Sequence, residues 1–570
     1  MISITINGKK IRTEEDKTIL EVARENKIEI PALCNHPDLK PGASCRICVV
    51  EIKGNKKLVP SCTTKVYPDM EVITNSSRIN KTRKINLELL FSQHREECSD
   101  CVWDRDCSLL NLASKYKAKI NKFNDRKKNY PIYQFGNVIQ FDSSKCIDCR
   151  NCVEACHLQG VDFLEIKEKG SLFQVVPSKT KDCVYCGQCL IRCPAGAFES
   201  VGEFEDIEKP LNQKDKVVVF QFAPSIRSSI GEEFDMPYGK LVTGAIVASL
   251  KKLGVDHIFD TCVGADFTTS SEALEVVERI KKNKNLPVFT SCCPSWVKFL
   301  EQKYPEFIPN LSTTRSPQVI LGGLIKTYWA QEKKIDPKKI FVVSIMPCTA
   351  KKYEIIRPEN NVLGMRPVDY VLTTREFAKL LIRHKIDLKK IKPEKMDNIF
   401  GDPSGAGVIY GVSGGVMESA FRTAYEKLTN TELKNVEFKQ VRGMQGIKEA
   451  EVKIGSKTRK IAVINGLGLA KQFLDEIKSG GKEGYTCIEV MACPGGCVGG
   501  GGQPIPTNVE VREKRALSLY AIDQKKKIRK AHENPIVKKI YQDFLKDKKL
   551  NHKILHTSYS KKKRGLVKKI

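Results

Sequence analysis

The stretch LPVFTSCCPSW, Leu286 to Trp296, decides how the chain is read. A short apolar run suited to a buried strand ends on two adjacent cysteines, Cys292 and Cys293, and a proline follows. Neighbouring residues in extended backbone point to opposite sides. One metal centre therefore rarely takes both thiolates, and a disulfide between them is strained. Two further runs end the same way. KIFVVSIMPC stops on Cys348, and YTCIEVMAC stops on Cys493, with Cys497 close behind. Other β-rich runs, KVVVFQFAP and KIAVINGLG, alternate with helix-like segments such as SSEALEVVERIKK and TREFAKLLIRH. That alternation is an α/β signature. Ligands in such sheets gather beyond the carboxyl ends of strands, so cysteines from three distant segments are expected in one crevice, as a metal site.

Upstream, the cysteines fall into groups. The chain has 570 residues and 22 cysteines, too many residues for a small disulfide scaffold. MISITINGKK reads as an exposed strand rather than a signal peptide, and no run is long and apolar enough to span a membrane. Thiolates committed to metal in a reducing cytoplasm are the expectation. Cys34, Cys45, Cys48 and Cys62 form the first group, with one tight C-x-x-C pair. This suits a 2Fe-2S centre better than structural zinc, which usually shows two tight pairs. His94, Cys98, Cys101 and Cys107 form the second. Alone they suit zinc or iron–sulfur equally. Their place between iron–sulfur segments favours a 4Fe-4S cluster with one imidazole ligand.

The third and fourth groups, CIDCRNCVEACH and CVYCGQCLIRCPAGA, repeat the C-x-x-C-x-x-C-x-x-x-C spacing of two-cluster bacterial ferredoxins. In that pattern each fourth cysteine serves the other cube. Cys146, Cys149, Cys152 and Cys193 then hold one 4Fe-4S cluster, and Cys183, Cys186, Cys189 and Cys156 hold the other. The glycines of VGGGGQP are followed by no Lys-Ser or Lys-Thr, so they do not form a P-loop. GLGLAK has Lys471 where a dinucleotide fingerprint needs its third glycine, so no NAD site is expected.

TSCCPSW, MPCTAKKYE and EVMACPGGCVGGGGQP resemble, in order and separation, the three signature motifs of iron-only (FeFe) hydrogenases. The resemblance covers almost the whole chain and is closest to the clostridial type with four accessory clusters. It implies an α/β catalytic domain, two mixed-sheet lobes around the active-site cluster, preceded by small α+β iron–sulfur domains. The implied division is 1–80 (2Fe-2S), 81–127 (His/Cys 4Fe-4S), 128–208 (two-cluster ferredoxin-like), 209–511 (catalytic) and 512–570 (C-terminal helices and basic tail).

The resemblance also implies an H-cluster: a 4Fe-4S cube joined through one cysteine to a two-iron unit carrying CO, cyanide and a bridging dithiolate amine. Cys293, Cys348, Cys493 and Cys497 match the cube ligands, with Cys497 the bridge. Cys292 matches the first proton carrier. It is followed by a water, Glu272, Ser312, Glu275 and Arg279 near the exit. Lys351 matches a cyanide-binding lysine, and Met346 and Met491 the methionines around the two-iron unit. Ala223, Pro224, Ser225 and Gln318 match the pocket lining. Without the resemblance, Glu272 and Glu275 would be a solvated helix face and the methionines core packing. Cys262 and Cys487 receive no role. In this chain Tyr410 stands where the family usually has Phe, Ser413 where it has Thr, and Ser271 where a Glu is common.

The implied activity is reversible reduction of protons to H2, in a cytoplasmic monomer loaded by maturation proteins and served by a ferredoxin. Two other readings are weighed: the catalytic subunit of an NAD-linked electron-bifurcating complex, and a non-enzymatic iron–sulfur assembly or sensory relative. The formal charge of +29 suits an acidic ferredoxin as partner. Charge alone would suggest nucleic acid, but no binding motif supports it. Lys40, Arg46, Lys53, Lys56, Lys57, Lys145 and Arg150 flank the N-terminal cluster groups as candidate steering charges. The final SKKKRGLVKKI reads as a solvated, partly disordered tail.

Overall fold

The computed structural model describes residues 1–94, 107–169, 172–397, 400–454 and 457–569. Cys98 and Cys101, assigned above to the second cluster group, lie outside the described residues.

The N-terminal unit is a five-stranded sheet that begins with the antiparallel pair Ile2–Ile6 and Lys9–Thr13. Its alternation buries Ile4 and Ile6. A capping box between Thr18 and Glu21 starts the helix Ile19–Glu25 packed against it. The ferredoxin-like unit carries the helix Asn151–Leu158 and a sheet containing Ile132–Phe135, Ile139–Asp142 and Phe198–Ser200.

The catalytic part has two four-stranded sheets. The first contains β1 (Val217–Phe222), β2 (His257–Asp260), and two later strands; the second begins with β3 (Val288–Phe289). Between β2 and β3 runs α1 (Thr261–Lys282). Asp260 caps its N-terminus by accepting from the Cys262 amide, and Arg279, Lys281 and Lys282 occupy its last turn, where cations suit the helix dipole. After β3, Pro294 opens α2 (Pro294–Lys303) at the position where a missing N–H costs nothing. The first sheet is completed by β4 (Ile340–Met346) and β5 (Tyr370–Thr373), and all its pairs are parallel. The second is completed by β6 (Ile447–Ile454), β7 (Lys457–Asn465) and β8 (Tyr485–Met491). It is mixed, because β6 runs antiparallel to β7 at the edge. The near-continuous apolar runs of β1, β4 and β8 follow from burial on both faces.

Three helices follow: α3 (Val509–Lys525), α4 (Pro535–Asp543) and α5 (Lys548–Leu555). They belong to the catalytic core rather than trailing from it, since Ile540, Ile554 and Leu555 are fully buried. Asp523 on α3 forms a paired, fully buried ion bridge with Arg422, at 2.8 and 2.9 Å.

The tail differs from the sequence expectation. Val567–Lys569 forms a strand, β9, antiparallel to Ile132–Phe135 of the ferredoxin-like unit. The outer edge of that sheet offers unpaired backbone groups, which the tail satisfies. Arg564 donates to the Ser178 carbonyl at 2.6 Å, and the Gly565 amide donates to Asp182 at 3.0 Å. Lysine-rich composition alone suggested solvation; the pairing comes from a sheet edge more than 400 residues earlier in sequence.

Candidate active site

The geometry begins at the paired cysteines. Phe289 pairs with Ile488, the Thr290 amide donates to the Ile488 carbonyl at 3.1 Å, and Cys293 is extended as it enters α2. The carboxyl ends of β3, β4 and β8 converge on one cavity. Cys292, Cys293, Cys348, Cys493 and Cys497 all line it. So do Met346, Met491, Lys351, Gln318, Ala223, Pro224 and Ser225. Its wall is mostly apolar, and every described cysteine is a free thiol. Gly496 closes one side at φ +88°; a Cβ there would lie 2.6 Å from the Ser413 amide and 2.8 Å from Met491 sulfur.

These residues fit an iron–sulfur cofactor in their own chemistry. Four thiols from three loops face one space; burial pushes the Cys497 thiol up to about 12, and a metal centre bound there would take the thiolates and release their protons to solvent. Ser225 Oγ and Gln318 Oε1 are buried polar atoms without protein partners, and the cavity they line could satisfy them.

Lys351 Nζ donates to the Cys292 carbonyl at 3.0 Å and to both Glu354 oxygens at 3.0 and 2.9 Å. Burial works against its charge and is the largest single influence, but Glu354 together with Cys292 and Cys348 holds the ammonium above the ordinary lysine range. Glu354 also accepts from Ser316 and Gln318. Sequence reasoning missed Glu354, although it ends the quoted MPCTAKKYE and stands three residues from Lys351 on one helical face.

A polar line leads away from Cys292. Glu272 on α1 is buried and bonded to Ser312, and one of its oxygens has no protein partner. Burial is the main reason its carboxyl is pushed up to about 8. Ser312 Oγ donates to Glu275 at 3.1 Å. Arg279 pairs with Glu275 one turn on and donates to the carbonyls of Pro309, Asn310 and Leu311. Thr313, not singled out from sequence, donates through its amide and hydroxyl to the same Glu275 carboxylate. The Tyr410 hydroxyl is tied to Thr269 at 2.8 Å, and Ser413 accepts from Lys448 and Asn465 at 3.1 Å each.

The first, third and fourth accessory groups come together too. Cys34, Cys45, Cys48 and Cys62 are buried, and the Cys34 and Cys48 sulfurs both bond to Cys62. Cys193 lies beside Cys146 and Cys149, and Cys156 beside Cys183, Cys186 and Cys189. Backbone amides of Asp148, Phe163 and Tyr185 donate to the sulfurs of Cys146, Cys156 and Cys183. Such donors favour thiolate. In the second group, His94 Nδ1 sits 2.8 Å from the Lys145 carbonyl, and Cys107 precedes the helix Ser108–Lys115. The Lys145 side chain is mostly buried, 3.9 Å from Asp142, so it cannot act as a surface steering charge.

The Cys183–Cys189 loop touches the cavity loops directly. Thr349, next to Cys348, donates to the Tyr185 carbonyl at 2.6 Å, and Gln188 donates to the Gly499 carbonyl at 3.1 Å. A Cβ on Gly187 would meet Thr349 Oγ1 at 2.6 Å and Gly501 Cα at 2.8 Å.

Comparison with known proteins follows the same layout. Residues 216–501 match the iron only hydrogenase large subunit, C-terminal domain, and 509–562 match the iron hydrogenase small subunit. Residues 1–77 match a 2Fe-2S iron-sulfur cluster binding domain, 83–121 the NADH-ubiquinone oxidoreductase-G iron-sulfur binding region, and 145–197 a 4Fe-4S dicluster domain. The chain is 42% identical to the NADP-reducing hydrogenase subunit HndD of Solidesulfovibrio fructosivorans, over 99% of this chain and 100% of that one. It is 41% identical to iron hydrogenase 1 of Clostridium pasteurianum, over 98% and 100%. Among solved structures, an apo [FeFe]-hydrogenase HydA1 from Chlamydomonas reinhardtii superposes with TM-score 0.56 and 36% identity, covering 62% of this chain and 98% of that one. Among the described residues no helix is long and apolar enough to cross a membrane. Because the similarity runs the full length of both relatives, through the cluster segments as well as the cavity motifs, this chain belongs to the iron-only hydrogenase family.

Proposed function

We propose that the protein reversibly reduces protons to H2 at an H-cluster held by Cys293, Cys348, Cys493 and Cys497. The observation that carries this reading is the single cavity that joins those thiols to Cys292 and Lys351, with the buried Glu272 close by. When bound, the cofactor supplies the bond chemistry. The protein's residues do the rest. Apolar walls and the two methionines exclude water. Lys351, fixed by Glu354, presents a positive charge to the cavity. Cys292 exchanges protons between the cavity and a water next to Glu272. A carboxyl pushed up to about 8 can both hold and release a proton near neutral pH. Ser312, Glu275 and Arg279 carry the proton outward.

The accessory cysteine groups would hold one 2Fe-2S and three 4Fe-4S clusters, which would supply one-electron transfer, and the Cys183–Cys189 loop is the one that packs against the cavity loops. We take an acidic ferredoxin as the donor. A second reading, an NADP- or NAD-linked complex with separate nucleotide-binding subunits, is favoured by one observation: a full-length relative is named an NADP-reducing hydrogenase subunit. H2 production by the matured protein, assayed with reduced ferredoxin and then with NADPH or NADH, separates the two. Turnover with ferredoxin alone supports the first. Turnover only when nucleotide and additional subunits are supplied supports the second.

A further inference from the structure

Glu275 sits in a closed ring of hydrogen bonds whose outermost member comes from another part of the chain. Thr313 Oγ1 donates to Glu275 Oε2 at 3.1 Å and lies 2.8 Å from His556 Nδ1. His556 Nε2 lies 3.2 Å from Ser271 Oγ. Ser271 Oγ is 3.2 Å from Thr314 Oγ1, which returns to Glu275 at 3.5 Å. His556 caps the end of α5, and the Thr314–His556 backbone bridge fixes it there.

Both imidazole nitrogens thus face hydroxyls. A hydroxyl donates or accepts, so either neutral tautomer is satisfied in place. That is the property a proton relay needs and a purely structural histidine does not. The ring also opens outward. A surface cavity of about 420 Å³ is lined by Ser271, Glu275, Thr313 and His556, and reaches the exposed His552, whose ring stacks on His556 at 5.2 Å.

We propose that His556 is a relay group at a second proton entrance, passing protons from water in this cavity through Thr313 to Glu275, in parallel with the Arg279 side. The proposal rests on the reading of Glu275 as part of the proton route. Transfer is one proton with no electron. Nδ1–H is given to Thr313 Oγ as the Thr313 hydroxyl proton passes to Glu275. Nε2 takes a proton from Ser271, which is reprotonated by cavity water. The other charged groups at the cavity are Glu278, Arg279 and Lys282 on α1 and Lys284 after it, with Tyr541 from α4. Burial is the main cause that lowers the His556 pKa; His552 and Arg315 add to it and Glu275 opposes it. Burial therefore favours the neutral imidazole, and the transfer runs between its two neutral tautomers rather than through a charged ring.

The test uses the matured holoenzyme with a reduced viologen dye, comparing His556→Gln and His556→Ala with the parent across pH 6 to 9. The expected result is a partial loss of rate in both, with the Arg279 side carrying the remainder, an altered pH profile, unchanged infrared CO and cyanide bands, and recovery of His556→Ala by added imidazole. A parental rate and pH profile in His556→Gln overturns the proposal. So does a slow His556→Ala that imidazole fails to rescue. Glu272→Gln, assayed alongside, separates this from the underlying reading. If it is as fast as the parent, the whole route falls. If it is inactive while the His556 variants are unchanged, only the second entrance falls.

Discussion

Lys351 Nζ lies 2.9 Å from Glu354 Oε2, and the pair stands at the edge of the cysteine cavity with both side chains mostly buried. Removing one partner of a buried pair leaves an uncompensated charge, at a cost of about 3–5 kcal/mol. Glu354→Gln should therefore lower the melting temperature more than a surface Glu→Gln. It should also let Lys351 move, so that the infrared bands of the loaded cofactor shift. Unchanged bands and melting would mean that Glu354 does not set the lysine's position.

Glu272→Gln should cut turnover by roughly a hundredfold or more, since an amide cannot pass a proton on. Its stability should also respond differently to pH. The buried carboxyl has its folded pKa raised, to about 8. The stability linked to a raised pKa is fully present below the unfolded carboxylate value and is lost as pH rises through the folded value. Between about pH 5 and pH 8 the parent should lose stability relative to Glu272→Gln, by an amount on the order of a few kcal/mol. Denaturant melts of both proteins at the two pH values measure this. Parallel pH dependence would show that Glu272 titrates normally.

The two adjacent cysteines should fail differently. Cys292→Ser keeps the four cavity thiols but puts a hydroxyl of much higher pKa at the head of the proton line, so the cofactor should load while turnover is nearly lost. Cys293→Ser removes one of the four thiols and should reduce cofactor content. Infrared spectra and iron content of the two variants, read beside their rates, decide this. Identical cofactor content and activity would refute the division of roles.

The catalytic fold was legible where the sequence pattern is dense. Strands buried on both faces read as apolar runs, and three of them stop on cysteines, so LPVFTSCCPSW already implied the crevice. The tail was not legible, because a basic segment carries no local sign of the edge it pairs with. Glu354 is an ordinary acid until Lys351 is seen to be buried beside it. Thr313 and His556 meet only because α5 folds back on the chain between β3 and β4, a contact spanning 243 positions. Helical spacing placed Glu272 and Glu275 on one face, but their burial depends on what covers that face.

The last prediction concerns the electron partner. Lys40, Arg46, Lys56, Lys57 and Arg150 are exposed, whereas Lys145 is not, and Lys53 is paired with Glu71 at 2.9 Å. A second group of exposed cations, Lys561, Lys563, Lys568 and Lys569, is carried by the tail, the last two on the strand paired with the ferredoxin-like unit. Interactions between exposed charges are screened beyond about 8–10 Å at physiological ionic strength. They therefore act on encounter more than on turnover at saturation. If an acidic ferredoxin is the donor, added salt should raise its apparent KM and leave the rate with small viologens nearly unchanged. Reversing Lys40, Arg46, Lys56 and Lys57 should do the same at low salt. Reversing the four tail lysines should have the smaller effect, because the tail lies over the ferredoxin-like unit rather than the N-terminal one. The opposite ranking would move electron entry to the ferredoxin-like unit. A ferredoxin-driven rate indifferent to salt and to both sets of reversals would refute electrostatic steering, and would turn attention to a permanently bound redox subunit.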